Sequence, residues 1–350
     1  MTDILIRGAG LLGTSLGLAV SQTGARTFLE DKDPRAVATA VAMGAGSSAE
    51  CSAPDLVFIA VPPGQIAREV EAALARFPTA TVSDVGSVKA EPIQALRAAG
   101  ADLSRYVGGH PMAGREISGA AAGRGDLFED RPWILTPIAE TDPDRLARVS
   151  ELAQDLHAVV RLMDPEEHDH AVALCSHAPQ VVASLLAAQL LGASPADVSV
   201  AGPGVRDTTR IAGSDPDLWA QILIANAEHV DEHLIRFAED VAAFRAALGT
   251  RDVTSVRELL ARGVQGREML PGKHGGEAAS FATVSVVIED APGQLAALFH
   301  RAGEADVNLE DVRIEHTLGR LRAIAHLVVR PEREQHLRNS LVAGGWHLRG

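Results

Sequence analysis

Gly8-Ala9-Gly10-Leu11-Leu12-Gly13, directly behind the apolar run Ile4–Ile6, constrains this 350-residue chain more than any other feature. Gly8 permits a tight turn, Gly10 lets the backbone approach a pyrophosphate, and Gly13 lets the following helix pack closely on the strand. The free amides at that helix start, around Leu11 and Leu12, can hold phosphate oxygens. Asp31 ends the next strand candidate, about 20 residues on. A carboxylate there accepts from both ribose hydroxyls and repels a 2′-phosphate, which favours NAD over NADP. Val61 ends the third strand candidate, Pro62 follows it, and Ser87 follows the fourth. Loops at the carboxyl ends of parallel strands are where such a ligand binds.

Residues 1–165 alternate short apolar runs with helical patterns. Strands are expected at Ile4–Ile6, Thr27–Glu30, Leu56–Val61, Thr81–Asp84, Tyr106–Gly108 and Trp133–Thr136, with crossover helices at Leu11–Thr23 and Pro34–Met43. This alternation predicts an α/β unit with a mostly parallel sheet covered on both faces. Residues 166–263 read as helical: Ala171–Leu191 is apolar, and Asp217–Leu248 predicts one helix of about 30 residues. Helices that long usually pack against another helix, so a dimer interface is expected here. Residues 264–280, rich in Gly and small polar types, read as a linker. Residues 281–350 follow the order β-α-β-β-α-β, with strands at Thr283–Ile288, Leu309–Glu315, Ile324–Val329 and Trp346–Leu348, which predicts a ferredoxin-like module.

Asp plus Glu outnumber Lys plus Arg by 46 to 32, a formal charge of −14. That balance repels nucleic acid and anionic membrane surfaces, while a local basic pocket for a small anion remains open. Cys51 and Cys175 are too far apart in sequence to suggest a disulfide framework or zinc ribbon, and no cleavable leader or membrane-length apolar run is read. The expected setting is the cytoplasm.

Beyond the fingerprint, DVGSVK, GGHPMAGREISG, HDHAVALCSHAPQ, VRDTTRIAGSDPDLW and DAPGQLAALF occur in that order. Taken together, the chain resembles prephenate dehydrogenases of the TyrA family carrying a carboxyl-terminal ACT-type domain. The resemblance implies a Rossmann-like NAD domain, a helical substrate and dimerisation domain, and a regulatory domain with an aromatic amino-acid effector, tyrosine being the simplest choice. The implied reaction is NAD-linked oxidative decarboxylation of prephenate to 4-hydroxyphenylpyruvate, on the route to tyrosine.

The resemblance assigns the catalytic base to His177, where a neutral imidazole takes the ring-hydroxyl proton as hydride leaves. Arg210 matches the arginine that grips the ring carboxylate through a bidentate pair. Ser118 is a candidate hydroxyl contact, Arg206 either pairs with Asp207 or faces the pyruvyl carboxylate, and Trp219 is a substrate contact. His110 either touches substrate or braces its own loop. No metal is expected: His168 and His170 point about 200° apart on one helix, and His170 and His177 are about 10.5 Å apart along its axis.

Val205 and Gln180 replace the Phe and second His of many relatives, which leaves arogenate or a 4-amino-4-deoxy analogue open as substrate. A nucleotide-dependent amino-acid sensor is the non-enzymatic alternative; turnover separates it from an enzyme.

Overall fold

The computed structural model describes residues 2–114, 117–270, 281–316 and 322–349. The chain divides into two compact units, 1–239 and 240–350.

The first unit is built on a seven-stranded sheet in the order β2-β1-β3-β4-β5-β6-β7. Its strands are β1 (Asp3–Arg7), β2 (Arg26–Glu30), β3 (Leu56–Ile59), β4 (Thr81–Asp84), β5 (Tyr106–Pro111), β6 (Pro132–Thr136) and β7 (Val159–Leu162). All neighbours run parallel except β5 and β6. The expected mostly parallel sheet is therefore present, with β7 as an additional edge strand. Helices α1 (Leu11–Gln22), α2 (Pro34–Ala42), α3 (Ile66–Arg76), α4 (Ala90–Ala98) and α5 (Pro143–Asp155) accompany it. Two apolar cores form. Ile4, Ile6, Leu16, Phe58 and Trp133 belong to one, and Leu5, Val57, Ile59, Ile66 and Val82 to the other. Adjacent residues of β1 and β3 thus feed separate cores, as a sheet buried on both faces requires.

The helical part begins with α6 (Pro165–Val172), a π-helical turn at Ala173–His177, and α7 (Ala178–Ala188). Pro179 explains the turn. Its ring clashes with the carbonyl four residues back in a regular α-helix, and the wider π-turn accommodates it. The continuous stretch Pro165–Gly192 is long and apolar enough to cross a membrane by length and composition, with a mean hydropathy of 1.5 in its richest window. A third of that window is buried, and the buried His168, Asp169 and His177 on this stretch bond to protein groups.

Further on lie α8 (Pro195–Ser199), α9 (Pro203–Thr209), a 3-10 turn at Arg210–Gly213, α10 (Pro216–Ala225) and α11 (Ala227–Thr250). The single helix expected over Asp217–Leu248 is interrupted at Asn226, whose backbone sits at φ −120°, ψ 31°. Hydrophobic periodicity continues through this residue, but Asn competes with the helix through its own side-chain hydrogen bonds.

The second unit contains the end of α11, α12 (Val253–Glu268), and a four-stranded antiparallel sheet. Helix α12 extends into the expected linker; residues 271–280 of that linker lie outside the described residues. The sheet comprises β8 (Ala282–Glu289), β9 (Asp311–His316), β10 (Arg322–Val329) and β11 (His347–Arg349), ordered β11-β8-β10-β9. Helices α13 (Gln294–Glu304) and α14 (Pro331–Ala343) pack with Val284, Val286, Ala325 and Leu327 in one core.

Candidate active site

The glycine fingerprint turns between β1 and α1. Gly8 has φ +109°, and a Cβ there would stand 2.2 Å from the Ala60 carbonyl oxygen. A Cβ on Gly13 would stand 1.8 Å from the Gly8 carbonyl oxygen, so strand, helix and the end of β3 touch through bare backbone. By contrast, a Cβ on Gly10 would meet nothing within 4 Å. Gly10 therefore opens onto space that a ligand can fill, at the N-terminus of a helix with no acidic side chain in its first turn. These are features a dinucleotide pyrophosphate needs.

Asp31 braces this loop. Its Oδ2 accepts from the Ala9 amide at 2.6 Å and its Oδ1 from the Asp33 amide at 2.8 Å. The neighbouring Glu30 is held by Arg7 and Arg76. The carboxylate of Asp31 is thus fixed at the tip of β2. Val61 and Ser87 are half-buried, and Pro62 is exposed, at the carboxyl ends of β3 and β4.

Across the sheet, β4 ends in a buried cluster. Asp84 accepts from Lys89 Nζ, Tyr106 Oη (2.6 Å) and the amides of Gly86 (2.7 Å) and Gly109 (3.4 Å). Lys89 Nζ also donates to the Gly109 carbonyl at 2.7 Å, immediately before His110. Burial, then Asp84, lifts the Tyr106 phenol well above its usual range.

His110, at the end of β5, points Nδ1 at His168 Nε2, 2.8 Å away. His168 Nδ1 lies 2.7 Å from Asp169 Oδ1. The Asp169 carboxylate also receives the Lys89 amide (2.9 and 3.1 Å) and the Ala90 amide (2.8 Å), and so caps α4 from another element. A carboxylate only accepts, so His168 donates from Nδ1; in the tautomer with that single hydrogen, its Nε2 accepts. His110 then donates from Nδ1, and its unprotonated nitrogen is Nε2. Burial, with His168 and Lys89 nearby, holds His110 well below the ordinary imidazole value.

His177 closes the π-turn and is also buried. Burial pulls it from 6.5 to about 4, with Asp169 opposing that shift. Its Nδ1 lies 3.1 Å from Asn226 Nδ2, and its ring meets the Trp219 ring edge-on at 6.0 Å. Asp169 links the two imidazoles: its carboxylate meets His168, which meets His110, and its backbone carbonyl accepts from Asn226, which meets His177.

The structure therefore brings together His110, His177 and Trp219. Arg210 is exposed on a turn packed against α7, the helix that His177 leads into. Arg206 is exposed on α9 and Ser118 on its loop, and no bond from either to the two histidines is found among the described residues. Arg115 and Glu116 of that loop lie outside the described residues. Gln180 is buried, donates to Ser184 Oγ at 3.3 Å, and leaves Oε1 without a partner among the described residues.

Sequence reasoning missed Asp84, Lys89, His168, Asp169 and Asn226 as site residues. Asp84 and Lys89 bracket the glycine of DVGSVK, a close pairing of charges within an otherwise apolar strand–turn segment. For Asn226 no local signal exists.

Family models match residues 16–262 of the chain almost continuously. The prephenate dehydrogenase nucleotide-binding domain matches residues 16–162, and the prephenate dehydrogenase dimerization domain matches residues 164–262. NovF of Streptomyces niveus, described as a probable prephenate dehydrogenase, is 33% identical over 99% of this chain and 99% of its own. The prephenate dehydrogenase of Bacillus subtilis is 29% identical over 90% of this chain and 88% of its own. Among solved structures, prephenate dehydrogenase from A. aeolicus with hydroxyphenyl propionate and NAD+ has a TM-score of 0.69 at 31% identity, covering 76% of this chain and 97% of that one. Arogenate dehydrogenase of Synechocystis has a TM-score of 0.64 at 27% identity, covering 76% and 99%. The chain belongs to the prephenate dehydrogenase family.

Proposed function

We propose that this protein oxidatively decarboxylates prephenate to 4-hydroxyphenylpyruvate with NAD, in tyrosine biosynthesis, and that His110 takes the ring-hydroxyl proton. NAD, when bound, supplies the hydride acceptor. The Gly8–Gly13 turn and the α1 amides hold its pyrophosphate, Asp31 its adenosine ribose, and Val61, Pro62 and Ser87 line its crevice.

Two buried histidines compete for the role of base, and the hydrogen-bond chain favours His110. A base needs an unprotonated nitrogen facing the substrate. The chain from Asp169 through His168 supports Nε2 of His110 as that nitrogen. The Asn226 amide supports the opposite state at His177, with Nδ1 accepting and Nε2 carrying hydrogen. The base role expected for His177 therefore passes to His110, and His177 becomes a substrate contact that donates. Arg210 fixes the ring carboxylate until its bond to the ring breaks and carbon dioxide leaves, the bond electrons completing the aromatic ring. Arg206 and Ser118 serve the substrate's outer polar groups, and Trp219 walls the pocket beside His177.

In the second unit, the β-α-β-β-α-β order and the β11-β8-β10-β9 sheet support a ferredoxin-like ACT domain, taking an aromatic amino acid such as tyrosine as effector. A homodimer formed through the helical part, in the cytoplasm, completes the reading.

The observation that carries it is the His110–His168–Asp169 chain at the end of β5, in the sheet whose β1 ends in a dinucleotide-type glycine turn. The test measures NADH and carbon dioxide formed from prephenate, arogenate and the 4-amino-4-deoxy analogue. Equal yields of both products with prephenate and NAD support the reading. Preference for arogenate or the amino analogue, preference for NADP, or no turnover by folded, NAD-binding protein overturns it.

A further inference from the structure

Asn226 interrupts what periodicity would make one helix, and its side chain turns inward at the break. It is buried, and its Nδ2 stands 2.7 Å from the Asp169 carbonyl oxygen and 3.1 Å from His177 Nδ1. The first contact fixes the amide's orientation. A rotated amide would set Oδ1 against the Asp169 carbonyl, two acceptors face to face inside the protein. Nδ2 therefore occupies that corner, and it has two hydrogens. One goes to Asp169, and the other is aimed at His177 Nδ1. An imidazole that accepts at Nδ1 carries its hydrogen at Nε2.

We propose that Asn226 is a positioning residue that holds His177 as a fixed Nε2–H donor toward the substrate, so that the site presents two imidazoles of opposite polarity. This rests on the reading of a cyclohexadienyl acid as substrate. Asp169 serves both rings: its carboxylate orients His168 and through it His110, while its backbone carbonyl orients Asn226 and through it His177. One ring then accepts a proton from the reacting hydroxyl, and the other donates to a carbonyl or carboxylate oxygen of the same molecule. A single buried residue thereby sets the polarity at both ends of the pocket.

The test is the nitrogen NMR spectrum of histidine side chains in the full-length protein with NAD bound, with His177 assigned by its loss in His177→Gln. The expected wild-type signals show hydrogen on Nε2 and none on Nδ1. In Asn226→Asp, a carboxylate accepts from Nδ1, and the His177 signals move to hydrogen on Nδ1. The same variant loses roughly 10- to 100-fold in kcat/KM for prephenate, mostly through KM, as expected for a lost bond to a charged group. Asn226→Ala removes the donor without a new charge, so the Nδ1 signal loses its hydrogen-bond shift and kcat/KM falls in the same direction. Hydrogen on Nδ1 in the wild type, or His177 signals unchanged in both variants while they still bind NAD, overturns the proposal. Failure of the substrate reading shows separately, as absence of turnover in the wild type, because the spectra need no substrate.

Discussion

His110 and His168 meet nitrogen to nitrogen, 2.8 Å apart, with their rings crossed at 72°. That contact makes the state of one ring depend on what lies behind the other. Asp169→Asn replaces a pure acceptor with an amide able to donate to His168 Nδ1, which reverses the chain and puts hydrogen on His110 Nε2. We expect kcat to fall about 100-fold or more, with the NAD dissociation constant within about threefold of wild type. Stopped-flow hydride transfer and NAD titration check this; an unchanged kcat contradicts it.

The fingerprint glycines separate folding from binding. Gly13→Ala forces a Cβ onto the Gly8 carbonyl and should lower stability by about 1–3 kcal/mol. Gly10→Ala meets no protein atom, so its melting temperature should stay near wild type while NAD affinity falls about tenfold or more. Thermal melts and NAD titrations of both variants give the comparison. Equal melting losses, or full NAD affinity in Gly10→Ala, would remove the pyrophosphate from this turn.

The Lys89–Asp84 pair is fully buried and tied to Tyr106 and Gly109. Removing one partner leaves a charge without its counterpart, so Lys89→Met should cost about 3–5 kcal/mol in urea unfolding. Restoring charge balance with Lys89→Met/Asp84→Asn should recover part of that loss. A single variant within about 0.5 kcal/mol of wild type would contradict the assignment.

Burial takes His177 from 6.5 to about 4. The unfolded chain takes up this proton as pH falls through 6.5, whereas the folded chain resists until about pH 4. The unfolded state binds more protons in that window, and stability falls as pH drops across it. The full shift corresponds to about 3 kcal/mol. Urea midpoints at pH 7 and pH 4.5 should diverge more for wild type than for His177→Gln; equal pH slopes would contradict this.

Much of the architecture was legible because it repeats locally. Strand–helix alternation locates six of the seven strands in the first unit, and β-α-β-β-α-β orders the second sheet. Strand β7 was not expected although Val159, Val160 and Leu162 are apolar, because the run is only four residues long and closely follows α5. The break at Asn226 was invisible because the reason for it, the Asp169 carbonyl, lies on another helix. His110 and His177 were legible as candidates through their motifs. Their division of labour was not, since it depends on which neighbour donates to which ring nitrogen, and neither Asp169 nor Asn226 adjoins His110 or His177 in sequence.

In the proposed mechanism His110, and not His177, receives the ring-hydroxyl proton. Single-turnover hydride transfer to NAD from saturating prephenate, in His110→Ala and His177→Ala side by side, tests it most directly. His110→Ala should lower the rate about 100- to 10,000-fold with NAD affinity retained, whereas His177→Ala should act mainly through prephenate affinity. A wild-type rate in His110→Ala, with the large loss falling on His177→Ala, would contradict the account.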